Sequence, residues 1–261
     1  MDNKVAIVTG GNKGVGRGIV YSLVKAGIKV CICYNSSEDY AAETLEKAKE
    51  LCRQNSIADN HVFLCKCDVS VSDNVKAMAE ETVGFFGGID ILVNNAALQP
   101  NLPVGMYDME TFGKIWDINI GGYFLCLREC LPYLKQSGCP RVVNISSIHA
   151  KRPSAFDAGY SMTKNAVKMF TREAAIELAK YKITVNYIIL GACRIERKTS
   201  SEKFGVFSVS TPEKAKVKTS FPLGRIPFPK DVGDLIVYLS GKESEIITGS
   251  GIRVDGGSML L

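Results

Sequence analysis

Val5-Ala6-Ile7-Val8-Thr9-Gly10-Gly11-Asn12-Lys13-Gly14-Val15-Gly16 is the stretch whose reading decides the fold. An apolar run passes straight into a glycine-rich turn and then into a helical pattern from Gly16 to Ala26, which reads as strand, sharp turn and helix. Gly10 permits the tight exit from the strand, Gly14 lets the backbone approach a ligand, and Gly16 lets helix and strand pack closely. The amides of this turn, through Asn12, Lys13 and Val15, and the helix N-terminus face one point, a ready site for pyrophosphate.

Outward from this stretch the alternation repeats. Strands are expected at Val5 to Thr9, Lys29 to Tyr34, His61 to Cys67, Ile89 to Asn94, Arg141 to Ser146, Thr184 to Ile189 and Gly251 to Val254. Most are apolar enough to be covered on both faces. Helical patterns occupy Gly16 to Ala26, Ala41 to Asn55, Asp73 to Phe86, Thr111 to Leu134, Tyr160 to Ala179 and Asp231 to Leu239. Gly27 stands where a left-handed cap belongs, and Ser72 with Asp73 offers an N-cap to the third helix. The pattern predicts one α/β domain over 1–261, a doubly wound, seven-stranded parallel sheet with helices on both faces. The irregular stretch from Arg194 to Phe228 reads as a substrate loop, about 192–228, acting as a lid.

The chain has 261 residues, 46% hydrophobic and 23% charged, enough for one large core. Met1 to Lys4 carries no basic leader, and no apolar run approaches the roughly 20 residues of a membrane span, so a cytoplasmic protein with no membrane partner is expected. The net charge of +5 is diffuse and has no basic aromatic stripe, which argues against nucleic acid. A local basic excess lies between Arg194 and Lys230 (Lys198, Lys203, Lys214, Lys216, Lys218, Arg225). Nine cysteines, an odd number falling inside strand and helix patterns, read as reduced core thiols rather than disulfides. With only His61 and His149 as histidines, no metal site is expected.

Tyr160-Ser161-Met162-Thr163-Lys164 places Tyr160 and Lys164 one turn apart on one helical face. Alone, a helical tyrosine is usually packing, a strand-end serine a cap, and a helical asparagine an interruption. The force lies in the combination: Ser147 ends the fifth strand thirteen residues earlier, Asn119 precedes it in Asp117-Ile118-Asn119-Ile120-Gly121-Gly122, and the phosphate turn lies upstream.

With its TGxxxGxG turn and this Asn119, Ser147, Tyr160 and Lys164 tetrad, the sequence resembles the short-chain dehydrogenase/reductase family over nearly its whole length. The resemblance implies a Rossmann-type fold, hydride transfer between a nicotinamide cofactor and a carbonyl or alcohol carbon, and a homotetramer. It implies that Asp68 and Val69 contact adenine and that Asn95 and Ala96, in Asn94-Asn95-Ala96-Ala97, form the cofactor turn. Tyr160 then acts as acid and base. The Lys164 ammonium and the positive charge of the oxidised nicotinamide are expected to lower its pKa, while Ser147 orients the substrate oxygen. The same resemblance makes Asn119 the holder of a relay water and gives Lys164 the nicotinamide ribose.

Charge selects the cofactor. An NAD site normally has an acid at the end of the second strand, but Cys33-Tyr34-Asn35-Ser36-Ser37 has none, and Lys13 adds a positive charge. Asn35, Ser36 and Lys13 suit a 2′-phosphate, so NADP(H) is expected over NAD. Two departures from the family pattern follow the sixth strand: Leu190 stands for the usual proline, and Ile195 for the threonine that holds the carboxamide. The Cys193 backbone is left for that contact. They make a silent dinucleotide-binding sensor the alternative, against which the complete tetrad argues. Ser146-Ser147-Ile148-His149 resembles glucose dehydrogenases, with His149 placed to bond a sugar hydroxyl; ketoacyl thioesters, steroids and polyols are the other substrate classes.

Overall fold

The computed structural model describes residues 3–153, 155–195 and 220–261. Among these, β1 (Val5–Val8), β2 (Lys29–Tyr34), β3 (Val62–Lys66), β4 (Ile91–Asn94), β5 (Arg141–Ser147), β6 (Thr184–Leu190) and β7 (Gly251–Val254) form one sheet. Its order is β3-β2-β1-β4-β5-β6-β7, and every neighbouring pair is parallel. Strand order reverses between β1 and β4, and the crevice outside their carboxyl ends is where such sheets take ligands.

The helices are α1 (Gly14–Lys25), α2 (Glu38–Gln54), α3 (Ser72–Phe86), α4 (Met109–Trp116), α5 (Gly122–Leu134), α6 (Ala158–Leu178) and α7 (Pro229–Leu239). Alternate strand residues feed opposite layers. Ala6, Val8, Val30 and Ile32 pack with Ile19 and Leu23 of α1, Leu51 of α2 and Ile236 of α7. Ile7, Cys31 and Cys33 face the other way, onto Met78 of α3, Cys126 and Cys130 of α5, and Leu178 of α6. All nine cysteines are buried and free, and six of them lie in this second layer. Each large apolar side chain so buried contributes roughly 1.5–3 kcal/mol.

Three local expectations are corrected. The helix foreseen from Thr111 to Leu134 is interrupted: α4 and α5 are joined by a π-helical turn, Asp117–Gly121. The Asn119 side chain is drawn out of the run to the Leu98 backbone, and Gly122 lies so close to Val69 that a Cβ there would meet Cγ2 at 2.7 Å. Ser72 does not cap α3 with its side chain; the hydroxyl instead accepts from Arg128 Nη2 at 2.7 Å, and Val71 is the capping position. The glycine turn is tighter than foreseen, so α1 opens at Gly14 rather than Gly16. Gly27 does adopt a positive φ of 80°. Of the expected loop over 192–228, residues 196–219, with Lys198, Lys203, Lys214, Lys216 and Lys218, lie outside the described residues.

Candidate active site

At the carboxyl end of β1 the glycine turn is built as its sequence demands. Gly10 takes φ +61° and Gly14 φ +55°. A Cβ on Gly16 would fall 2.1 Å from the Gly10 carbonyl oxygen, so only glycine closes this turn against the helix. Asn95, one residue past β4, locks the turn from the side: its Nδ2 donates to the Thr9 and Gly10 carbonyls at 2.9 and 3.1 Å. In return Thr9 Oγ1 accepts from the Asn95 and Ala96 amides. Lys13, the N-cap of α1, makes no side-chain cap, which leaves the first helical amides to another acceptor.

The turn is also tied to the end of β2. Buried Asn12 donates to the Ser36 and Ser37 carbonyls at 2.9 and 3.3 Å. Lys13 Nζ donates to Ser37 Oγ at 3.4 Å. Lys13, Ser36 and Ser37 therefore form one polar corner. Ser37 sits in the left-handed region, φ +66°, at the start of α2. Asn35 turns away from this corner and donates to Asp68 Oδ2 at 3.0 Å. Partial burial pushes the Asp68 carboxyl up, but bonds from Ser70 and Asn35 outweigh it and leave the group below the usual carboxylate range. Val69 is buried behind it and Val15 lies under the turn.

The second half of the site lies at the end of β5. Ser147, the last residue of the strand, is buried; its Oγ accepts from the His149 amide at 3.2 Å, and its hydroxyl acts on the Tyr160 phenol as a polar neighbour that lowers the phenol pKa. Tyr160 is half-buried in the first turn of α6, with the His149 ring centroid 6.2 Å from its own. Burial raises the phenol pKa, the Ser147 hydroxyl opposes this, and the Asp157 charge adds to it. The surrounding residues thus push the phenol up, opposite to the lowering expected from Lys164. The physical reason is desolvation of the phenol; Lys164, whose Nζ lies over the ring face 5.5 Å from its centroid, is itself pushed down to about 7 by burial.

Lys164 Nζ donates to the Ile145 carbonyl at 2.8 Å and to Tyr123 Oη at 3.1 Å. Asn119 is fully buried: Oδ1 accepts from the Leu98 amide at 2.7 Å, and Nδ2 donates to the Leu98 carbonyl and Thr163 Oγ1, both at 3.0 Å. Thr163 Oγ1 donates on to the Tyr160 carbonyl, so Asn119 clamps the start of α6 to the segment after β4. Sequence reasoning missed Tyr123, Thr163 and the buried pair of Asp157 and Gln99, in which Gln99 Nε2 donates to both carboxylate oxygens. Tyr123 was findable, being one helical turn beyond Asn119.

A cavity of about 300 Å³ opens beside Ser147, lined by Ile148, His149, Arg152, Ala192, Phe221 and Ser258 among others. Gly191, directly after β6, accepts no side chain because a Cβ would sit 2.8 Å from Asp255 Cβ. Leu190 still ends β6 in register with Val254, so losing the usual proline leaves the strand intact. Ile195 reaches back toward Gly14, 4.0 Å from where a Cβ on Gly14 would lie. Cys193 is buried in the core layer, and burial pushes its thiol up to about 12. No group of three or more His, Cys, Asp or Glu among the described residues could hold a metal, and no helix among them is long and apolar enough to cross a membrane.

The family model described as enoyl-(acyl carrier protein) reductase matches residues 10–259. The chain belongs to the short-chain dehydrogenase/reductase family. It is 31% identical over 255 residues to the 3-oxoacyl-(acyl-carrier-protein) reductase FabG of Staphylococcus aureus, covering 97% of both chains. The Staphylococcus epidermidis protein of the same name is 31% identical over 256 residues, 98% of each. Among solved structures, a 3-ketoacyl-(acyl-carrier-protein) reductase from Brucella melitensis, complexed with NADH, matches 98% of each chain with TM-score 0.83 and 27% identity. A putative short-chain alcohol dehydrogenase from Sinorhizobium meliloti matches 100% of this chain and 98% of its own, with TM-score 0.86 and 25% identity. As a member of this family, the chain is an NAD(P)-dependent oxidoreductase on a Rossmann-like fold.

Proposed function

We propose that the protein is an NADP(H)-preferring reductase that interconverts a ketone and a secondary alcohol through Asn119, Ser147, Tyr160 and Lys164, with 3-oxoacyl thioesters as its substrate class. The observation that carries the reading is the convergence of Ser147 at the end of β5, Tyr160 in the first turn of α6, the buried Lys164 amine and the uncapped glycine turn at one end of the sheet. The relatives named for 3-oxoacyl reduction support the thioester class. The cradle fits a dinucleotide: the Cβ position of Gly14 faces open space with only Ile195 at 4.0 Å, and the α1 amides lack a side-chain cap.

When bound, the nicotinamide would supply or take up the hydride. Ser147 holds the carbonyl oxygen by donating to it, and Tyr160 Oη, kept protonated by its surroundings, delivers the proton as that oxygen gains charge. In the oxidative direction the same phenol takes the proton, and the Lys164 ammonium stabilises the tyrosinate. Lys164 also serves the nicotinamide ribose, Asn119 supports the relay to solvent, and Asn12, Val15, Asp68, Val69, Asn95, Ala96 and the Cys193 backbone line the cofactor. Lys13 with Ser36 and Ser37 takes the 2′-phosphate, while Asn35 acts through Asp68.

Phe124, Met162, Met169 and Ile176 are exposed on α5 and α6, the last three spaced two helical turns apart on α6. Such a stripe suits burial against further copies in a homotetramer in the cytoplasm. The test is reduction of acetoacetyl-coenzyme A with NADPH and NADH, beside sugars and hydroxysteroids in the reverse direction. The reading predicts turnover of the thioester with a higher kcat/KM for NADPH. NADPH binding without turnover of any compound would leave a dinucleotide sensor instead.

A further inference from the structure

Tyr123 has no part in the tetrad, yet it is 1% exposed and contacts the amine at the centre of the site. It stands on α5 just beyond the π-helical turn that carries Asn119. Its hydroxyl donates to the Ile145 carbonyl at 3.1 Å, which commits the phenolic proton to the backbone and turns an oxygen lone pair toward Lys164. Lys164 Nζ donates to that oxygen at 3.1 Å and to the same Ile145 carbonyl at 2.8 Å. The nitrogen also lies 5.1 Å from the Tyr123 ring centroid and 5.5 Å from that of Tyr160, between two aromatic faces that attract a cation.

We propose that Tyr123 is a positioning residue for Lys164, its phenol oxygen acting with the Ile145 carbonyl to hold the ammonium between the two tyrosine rings. The inference rests on Lys164 serving the reaction described above. Two of the three ammonium hydrogens are thereby spent, leaving one for a further acceptor. No carboxylate hydrogen-bonds or ion-pairs with Lys164 among the described residues, so the Tyr123 oxygen is the side-chain acceptor that offsets the cost of burying the charge. The other titratable groups around the amine are Tyr160 on its own helix, Asp157 at the start of that helix, His149 beside the Tyr160 ring, and Cys126 one turn along α5 from Tyr123.

Tyr123→Phe keeps the ring and removes the acceptor. The direct readout is NMR of protein labelled with ¹³C at the lysine Cε, the Lys164 signal being assigned by its loss in Lys164→Met. Loss of a hydrogen bond to a charged group should lower the Lys164 midpoint by roughly one pH unit. The alkaline limb of the kcat profile for acetoacetyl-coenzyme A should move down with it, while KM for NADPH changes little. A midpoint and limb that stay put, with only the melting temperature lowered, would make Tyr123 mere packing and overturn the proposal. Should Tyr123→Phe fail to fold, 3,5-difluorotyrosine at position 123 weakens the acceptor inside an unchanged shape. An unmoved Lys164 midpoint there overturns the proposal equally. Retained turnover in Lys164→Met would refute the tetrad reading instead, and the NMR shift distinguishes that outcome.

Discussion

In the proposed reaction Tyr160 starts with its proton in place, because burial holds the phenol above its ordinary pKa and Ser147 only partly opposes this. Lys164 carries the opposite strain. Its amine, ordinarily near 10.5, is pushed down to about 7 by burial, so below pH 7 the folded chain carries a buried charge that the unfolded chain leaves in water. Between about 7 and 10.5 the unfolded state binds more protons than the folded one, so stability of the cofactor-free protein rises with pH across that window. Lys164→Met should therefore stabilise the protein by a few kcal/mol below pH 7, a gain that fades as pH approaches 10.5. Thermal melts of both proteins at pH 6, 8 and about 10 check this; an equal difference at every pH would contradict it.

The elements hold the site through backbone geometry. Gly16→Ala forces a Cβ against the Gly10 carbonyl at 2.1 Å, so the turn must shift; a loss of stability of about 1–3 kcal/mol and at least tenfold weaker NADPH binding are expected from melts and calorimetry. Asn119→Leu leaves the Leu98 amide and carbonyl without their side-chain partner, and chemical denaturation should show a loss of about 1–3 kcal/mol. How much of this was legible in sequence differs between the two. The glycine turn was legible because Gly10, Gly14 and Gly16 each answer a local demand that glycine alone meets. The π-helical turn was not, since its cause is the distant backbone of Leu98 and the close approach of Val69 to Gly122. The Tyr160–Lys164 spacing was legible from the helical repeat, whereas the upward push on the Tyr160 phenol was not, because the desolvation around it comes from the whole surrounding structure.

At the scale of the molecule, one end of a seven-stranded sheet gathers the turn after β1, the lock after β4 and the serine ending β5, so the proposed cofactor cradle and the proposed tetrad lie at the same end. On the proposed NADP preference, Lys13→Glu should raise KM for NADPH about tenfold or more and leave NADH nearly unchanged, as steady-state kinetics with each cofactor would show. The exposed stripe on α6 predicts assembly, and Met169→Glu should shift the species seen by light scattering toward smaller oligomers. The central claim is tested most directly by following nicotinamide absorbance with acetoacetyl-coenzyme A for the native protein and Tyr160→Phe side by side, with NADPH binding measured for both. The account predicts turnover by the native protein and a fall in kcat of about 100-fold or more in the variant, with NADPH binding retained; equal turnover by the two proteins would contradict it.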